Sequence, residues 1–144
     1  MAIYIDTSAL AKRYIHEPSS ERFDEFVAGS ADEFMLTPLI VTELASALRR
    51  RLRAGEFDGA YLKRAESAFD RDLRDALWVM CPVEPATFDA ASRLIRELDA
   101  PLAALDAIHL ASAIGYGCGA IATSDRQLAR AAKLCALEVH DFSS

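Results

Sequence analysis

The chain has 144 residues, 52% of them hydrophobic and 26% charged, and its 22 acidic against 16 basic side chains give a net charge of −6. A chain of that size buries about two-thirds of its unfolded surface, so one globular domain spanning 1–144 is expected. The acidic balance argues against a protein that coats nucleic acid by bulk electrostatics, but it is compatible with a nuclease whose acids are gathered at a metal site. Cys81, Cys118 and Cys135 are odd in number and lack C-x-x-C spacing, which points to small buried hydrophobes and away from a disulfide framework or a thiolate zinc site. The three histidines, His16, His109 and His140, have no ligand spacing either. The opening residues carry no basic segment and too short an apolar run for a signal peptide. Residues 107–124 contain no charge, yet Gly115, Gly117 and Gly119 interrupt them, so no membrane span and a cytoplasmic location are expected.

In chain order, Ala2-Ile3-Tyr4-Ile5 is a short apolar run of strand formers, and Asp6, Thr7 or Ser8 can cap the helix that follows over 9–15 and stops before Pro18. A second amphipathic helix passes through Phe23, Phe26 and Val27 to Gly29, and Phe34-Met35-Leu36 reads as a strand. Thr37-Pro38 has the form of a helix start with a capping threonine. Ile40, Val41, Leu44, Leu48 and Leu52 continue it at helical spacing to Gly55, with Glu43 at the margin of the apolar stripe. The segment 61–76 predicts a helix with charge pairs such as Asp70 with Arg74 and Arg71 with Asp75, a solvated face. Leu77-Trp78-Val79-Met80-Cys81 is apolar on both faces, as a buried parallel strand should be. After a helix over 85–98 comes Leu105-Asp106-Ala107-Ile108-His109-Leu110-Ala111, apolar nearly all round, with Asp106 and His109 on one face. A strand over 120–123, a helix over 126–134 capped by Ser124-Asp125, and a strand over 137–140 complete the chain. Alternating strands and helices predict an α/β sandwich with a mostly parallel sheet, and ligands in such sheets sit beyond the carboxyl ends of the strands.

Four carboxylates are candidates for chemistry: Asp6 and Asp125, each directly after a strand, Glu43 in the middle helix, and Asp106. Singly each has a structural explanation: Asp6 and Asp125 as helix caps, Asp106 as a first-turn acid, Glu43 as a surface residue. Converged, any pair at about 4 Å repels by ~4 kcal/mol at an effective dielectric of 20, a cost that a cation or protonation must offset. Oxygen donors with no Cys or His cluster favour Mg²⁺ or Mn²⁺, and such a site activates water and aligns a phosphodiester without a nucleophilic side chain.

Four blocks carry a resemblance across essentially the whole chain: Tyr4-Ile5-Asp6-Thr7-Ser8-Ala9-Leu10, Thr37-Pro38-Leu39-Ile40-Val41-Thr42-Glu43-Leu44, Leu105-Asp106-Ala107-Ile108-His109-Leu110-Ala111 and Thr123-Ser124-Asp125-Arg126-Gln127-Leu128. In this order and spacing the chain resembles a PIN-domain ribonuclease, in particular a VapC-type toxin of a toxin–antitoxin pair. The resemblance implies a PIN-like α/β/α sandwich with a five-stranded sheet and a Mg²⁺- or Mn²⁺-dependent endoribonuclease. It implies that Asp6, Asp106 and Asp125 ligate the metal, that Glu43 acts directly or through metal-bound water, and that Ser8 and Thr123 buttress the acids. It also implies a homodimer and a VapB-type antitoxin partner.

Arg49, Arg50 and Arg53, in the one dense basic run, are candidates to grip RNA phosphates or to offset the helix dipole. Lys12 and Arg13 form a second such pair or simple surface charges. His109 is expected to be a packed core histidine, with no partner evident, over a role in orienting water or protonating a leaving group. Two other readings exist: a PIN-like binding or scaffold protein that does not cleave RNA, and an aspartyl-phosphate phosphatase with Asp6 as nucleophile. The latter chemistry normally wants a second acid two residues on, where this chain has Ser8.

Overall fold

The computed structural model describes residues 1–143. The elements run β1 (Ala2–Ile5), α1 (Thr7–Tyr14), α2 (Ser20–Gly29), β2 (Glu33–Leu36), α3 (Leu39–Arg53), α4 (Gly59–Arg74), β3 (Val79–Met80), α5 (Pro85–Glu97), α6 (Ala104–Gly115), β4 (Ala120–Thr123), α7 (Arg126–Leu134) and β5 (Glu138–Asp141). Among the described residues the strands form one sheet in the order β3-β2-β1-β4-β5, and every pairing is parallel. The sheet expected to be mostly parallel is wholly so.

Strand side chains alternate between faces with period two. Ile3, Ile5, Phe34, Leu36, Ala120 and Ala122 pack under α1 to α4, while Tyr4, Met35 and Ile121 face α6 and α7 on the other side. Helix α5 leans on α6 through Ala91 against Ala107 and Ala111, where small side chains allow a close approach. The result is an α/β/α sandwich. None of the described helices is long and apolar enough to cross a membrane.

Two local expectations are corrected. The apolar segment 77–81 does give a parallel strand, but not a buried one: only Val79 and Met80 pair, at the edge of the sheet, and Met80 stays exposed. Trp78 supplies the burial that its hydrophobicity demanded, from just outside the strand. Nor does Thr37 cap α3. Pro38 takes the cap position without a side-chain bond, and the Thr37 hydroxyl is instead buried 3.2 Å from the phenol oxygen of Tyr4.

Helix α4 likewise differs from its sequence pattern. No ion pair joins Asp70 to Arg74 or Arg71 to Asp75 among the described residues, and these side chains lie exposed. Asp72 between them turns inward. It accepts from Arg13 Nε at 2.8 Å and the Tyr14 hydroxyl at 2.6 Å, and the Tyr14 oxygen accepts from Trp78 Nε1 at 2.8 Å. Burial pulls the Asp72 carboxyl upward, but these donors and the guanidinium charge hold it below the usual carboxylate value. This network fastens α4 to α1.

Candidate active site

The chain leaves β1 toward β2 on one side, and β4 returns beside β1 on the other. That reversal opens a crevice beyond the carboxyl ends of β1 and β4. Asp6 follows β1 directly and caps α1, its Oδ1 accepting from Ala9 N–H at 2.9 Å. The side chain is buried, and both oxygens are engaged: Ser8 Oγ lies at 2.8 and 2.9 Å from Oδ1 and Oδ2, and Thr123 Oγ1 donates to Oδ2 at 2.8 Å. Burial drives this carboxyl up despite those donors. Ser8 also accepts from Ser124 N–H at 2.9 Å, stitching the end of β4 to the start of α1.

Glu43 reaches the crevice from the first half of α3. Its Oε1 accepts from Thr7 Oγ1 at 2.8 Å and lies 2.5 Å from His109 Nε2. Burial pulls the Glu43 carboxyl up, but the hydrogen bonds from His109 and the Thr7 hydroxyl prevail and leave it lowered. An ionised carboxylate only accepts, so Nε2 carries a proton, and in the neutral ring Nδ1 is then the acceptor. The donor to Nδ1 is the Tyr4 phenol at 2.6 Å, whose proton burial holds well above the ordinary range. Thr37 Oγ1 in turn donates to the phenol oxygen. His109 is therefore not the unpartnered core histidine of the sequence expectation but the middle of a buried polar chain.

Asp106 stands in the first turn of α6, one turn before His109. Its carboxyl is pushed up to about 6 by burial and then by the charges of Asp125 and Asp6, with Glu43 adding. Asp125 caps α7 through Leu128 N–H at 2.9 Å, while its own N–H donates to Thr123 Oγ1 at 3.0 Å. The cap readings of Asp6 and Asp125 thus hold alongside a place in the crevice. All four acids line one cavity of about 480 Å³, together with Ser8 and His109.

The candidate cations divide. Lys12 and Arg50 line the same cavity, as does Arg51, which the sequence reading did not single out. Lys12 Nζ donates to Pro18 C=O at 2.8 Å and lies 3.5 Å from Glu17, which also pairs with Arg51 at 2.6 Å. Arg13 is committed to Asp72 and Asp24, Arg49 pairs with Glu66 at 3.3 Å, and Arg53 is exposed outside the lining. A basic run on a helix points round the axis, so only Arg50 and Arg51 of this one reach the cavity. Glu17 and Arg51 meet only because the turn after α1 folds back on α3.

Among the described residues no three carboxylate, imidazole or thiol groups form a ready cation site. Asp6 and Glu43 spend oxygens on hydrogen bonds within the protein. The donor chemistry still fits a hard divalent cation, since four carboxylates and no thiol border the cavity and Asp106 registers the like charge a cation would relieve.

A parallel sheet with an acidic pocket at its order reversal is the architecture of one class of α/β/α domain, and the PIN domain model matches residues 3–134, so the chain belongs to the PIN domain family. Among solved structures, VapC20 of Mycobacterium tuberculosis, described as a sarcin–ricin loop cleaving toxin, is 17% identical with a TM-score of 0.70, covering 90% of this chain and 94% of that one. FitAcB from Neisseria gonorrhoeae is 18% identical with a TM-score of 0.73 and 96% coverage of both chains. VapBC2 from Rickettsia felis, solved with a fragment of promoter DNA, is 14% identical with a TM-score of 0.69 and 99% coverage of both. At these identities the likeness is one of fold. A search of curated proteins finds no significant match.

Proposed function

We propose that this chain is a Mg²⁺- or Mn²⁺-dependent endoribonuclease, a single PIN domain acting in the cytoplasm as the toxin of a VapBC-type toxin–antitoxin pair. The observation that carries the reading is the convergence of Asp6, Glu43, Asp106 and Asp125, from four separate segments, on one cavity at the switch point of the sheet. Family membership and the likeness to solved VapC proteins support it. Asp6, Asp106 and Asp125 would hold the metal, and Glu43 would hold it directly or through water. When bound, the ion supplies charge neutralisation and an activated water for in-line attack on a phosphodiester.

The chain's own residues do the rest. Ser8 and Thr123 fix both oxygens of Asp6. Thr7 and His109 fix Glu43. Lys12 and Arg50, beside the Glu17-paired Arg51, offer positive charge on the same cavity as the four acids. A VapB-type antitoxin and a second copy of this chain are the proposed protein partners.

The test is incubation of the purified protein with RNA and Mn²⁺ beside an Asp6→Asn variant, with and without EDTA. Cleavage is expected only in the parent and only with metal. Equal RNA loss in parent and variant would overturn the reading, and so would cleavage indifferent to EDTA.

A further inference from the structure

We infer that Tyr4 and His109 are positioning residues: a buried chain from Thr37 through Tyr4 and His109 clamps one oxygen of Glu43 and thereby presents the other to the cavity. This rests on the metal-site reading above. The geometry is specific. His109 Nε2 at 2.5 Å and Thr7 Oγ1 at 2.8 Å both meet Oε1, whereas among the described residues no donor meets Oε2. Glu43 borders the cavity, so the free oxygen is the one available to a ligand there.

A glutamate side chain has three rotatable bonds and by itself holds no fixed position. Two donors on one oxygen remove that freedom. The imidazole can serve only if Nε2 carries a proton; the Glu43 carboxylate requires it, and Tyr4 supports it by engaging Nδ1. Its phenol donates to Nδ1 at 2.6 Å, and in the opposite tautomer a bare Nε2 would face the acceptor Oε1 of Glu43. Thr37 orients the phenol from the far side at 3.2 Å. Both Tyr4 and His109 are almost fully buried, at 1% exposure each, so water cannot substitute for either. The chain also links three layers of the fold: Tyr4 belongs to the central strand, His109 to α6, and Glu43 to α3 on the opposite face. Glu43 is thus set by the sandwich as a whole.

The tautomer can be read without any metal. Long-range ¹⁵N–¹H correlation spectra of the unsubstituted protein should place the His109 proton on Nε2, with Nδ1 as acceptor. A bare Nε2 would overturn the inference. The second readout is calorimetric titration of Mn²⁺ alone into the full chain, without RNA. His109→Leu should weaken Mn²⁺ binding about 10- to 100-fold, the range for partners that orient a metal ligand. His109→Gln, whose amide can still donate to Glu43, should recover most of the loss, and Tyr4→Phe should weaken binding in the same direction. In cleavage assays the loss should fall on the Mn²⁺ dependence and kcat, with the KM for RNA unchanged. A parent that binds Mn²⁺ while all three folded variants bind it equally well overturns the positioning role alone. A parent that binds no Mn²⁺ overturns the metal reading beneath it.

Discussion

Asp106→Asn should make the metal-free protein more stable. In the fold this carboxyl rises from 3.8 to about 6, because burial and the charges of Asp125 and Asp6 disfavour its ionised form. At about 1.4 kcal/mol per pH unit, that difference sets an upper bound of ~3 kcal/mol on the cost of holding it charged at neutral pH. The side chain is partly open to water, and screening reduces the cost to about 1.5 kcal/mol. Removing a negative charge from the first turn of α6 gives back ~0.5 kcal/mol. A net gain of about 1 kcal/mol remains, or ~4 °C in Tm for a chain of this size.

The pH dependence has a definite sign. A raised carboxyl pKa means that the native state holds its proton more tightly than the unfolded chain does. The penalty is therefore fully present above about 6 and disappears as the pH falls below 3.8. Thermal melts in EDTA should show Asp106→Asn above the parent at pH 7.5 and the two curves merging near pH 4. Millimolar Mn²⁺ should reverse the order by raising the parent alone. A variant that melts lower than the parent in EDTA, or whose advantage survives acidification unchanged, would refute the claim that Asp106 is held at a cost.

Asp72→Ala should cost about 2–4 kcal/mol in urea unfolding at pH 7, because it leaves Arg13 Nε and the buried Tyr14 hydroxyl without their acceptor, Asp24 holding only Nη1 of Arg13. Asp72 is held below its usual value, so its contribution is present above 3.8 and is lost as the pH falls through its native pKa. Parent and variant should converge in acid. Lys12→Met and Arg50→Gln, each in an Asp6→Asn background, should lower the salt slope of single-stranded RNA binding by about 0.7, read by fluorescence anisotropy. Arg49→Gln, whose guanidinium pairs with Glu66 outside the cavity, should leave the slope unchanged. Ala136 sits at φ 63, and left-handed backbone costs an L-residue about 1 kcal/mol. Ala136→Gly should therefore raise the unfolding midpoint.

The elements nearest the site were legible because their signals are local. Ala2-Ile3-Tyr4-Ile5 ahead of Asp6, and Ala120-Ile121-Ala122-Thr123 ahead of Asp125, announce a strand, a turn and a capped helix within a few residues. Segment 77–81 misled for the opposite reason, since whether an apolar run pairs in a sheet or buries one indole beside it depends on its neighbours. Asp72 was hidden in a run of charges whose partners, Arg13 and Tyr14, are 59 and 58 residues away. Thr37 illustrates the same limit, its capping signature being overruled by a phenol 33 positions earlier.

By itself the order of residues determined the alternation of strands and helices, the carboxylates worth watching and the family they resemble, because periodicity, caps and short motifs are properties of contiguous chain. Only the tertiary structure decided that the four acids share one cavity, that His109 and Tyr4 stand behind Glu43, and that Lys12 and Arg50 face the site while Arg13 and Arg49 do not. Those are relations between side chains up to 119 positions apart, as with Asp6 and Asp125. Hydrogen bonding and charge act over a few ångströms of space, and distance along the chain does not report them.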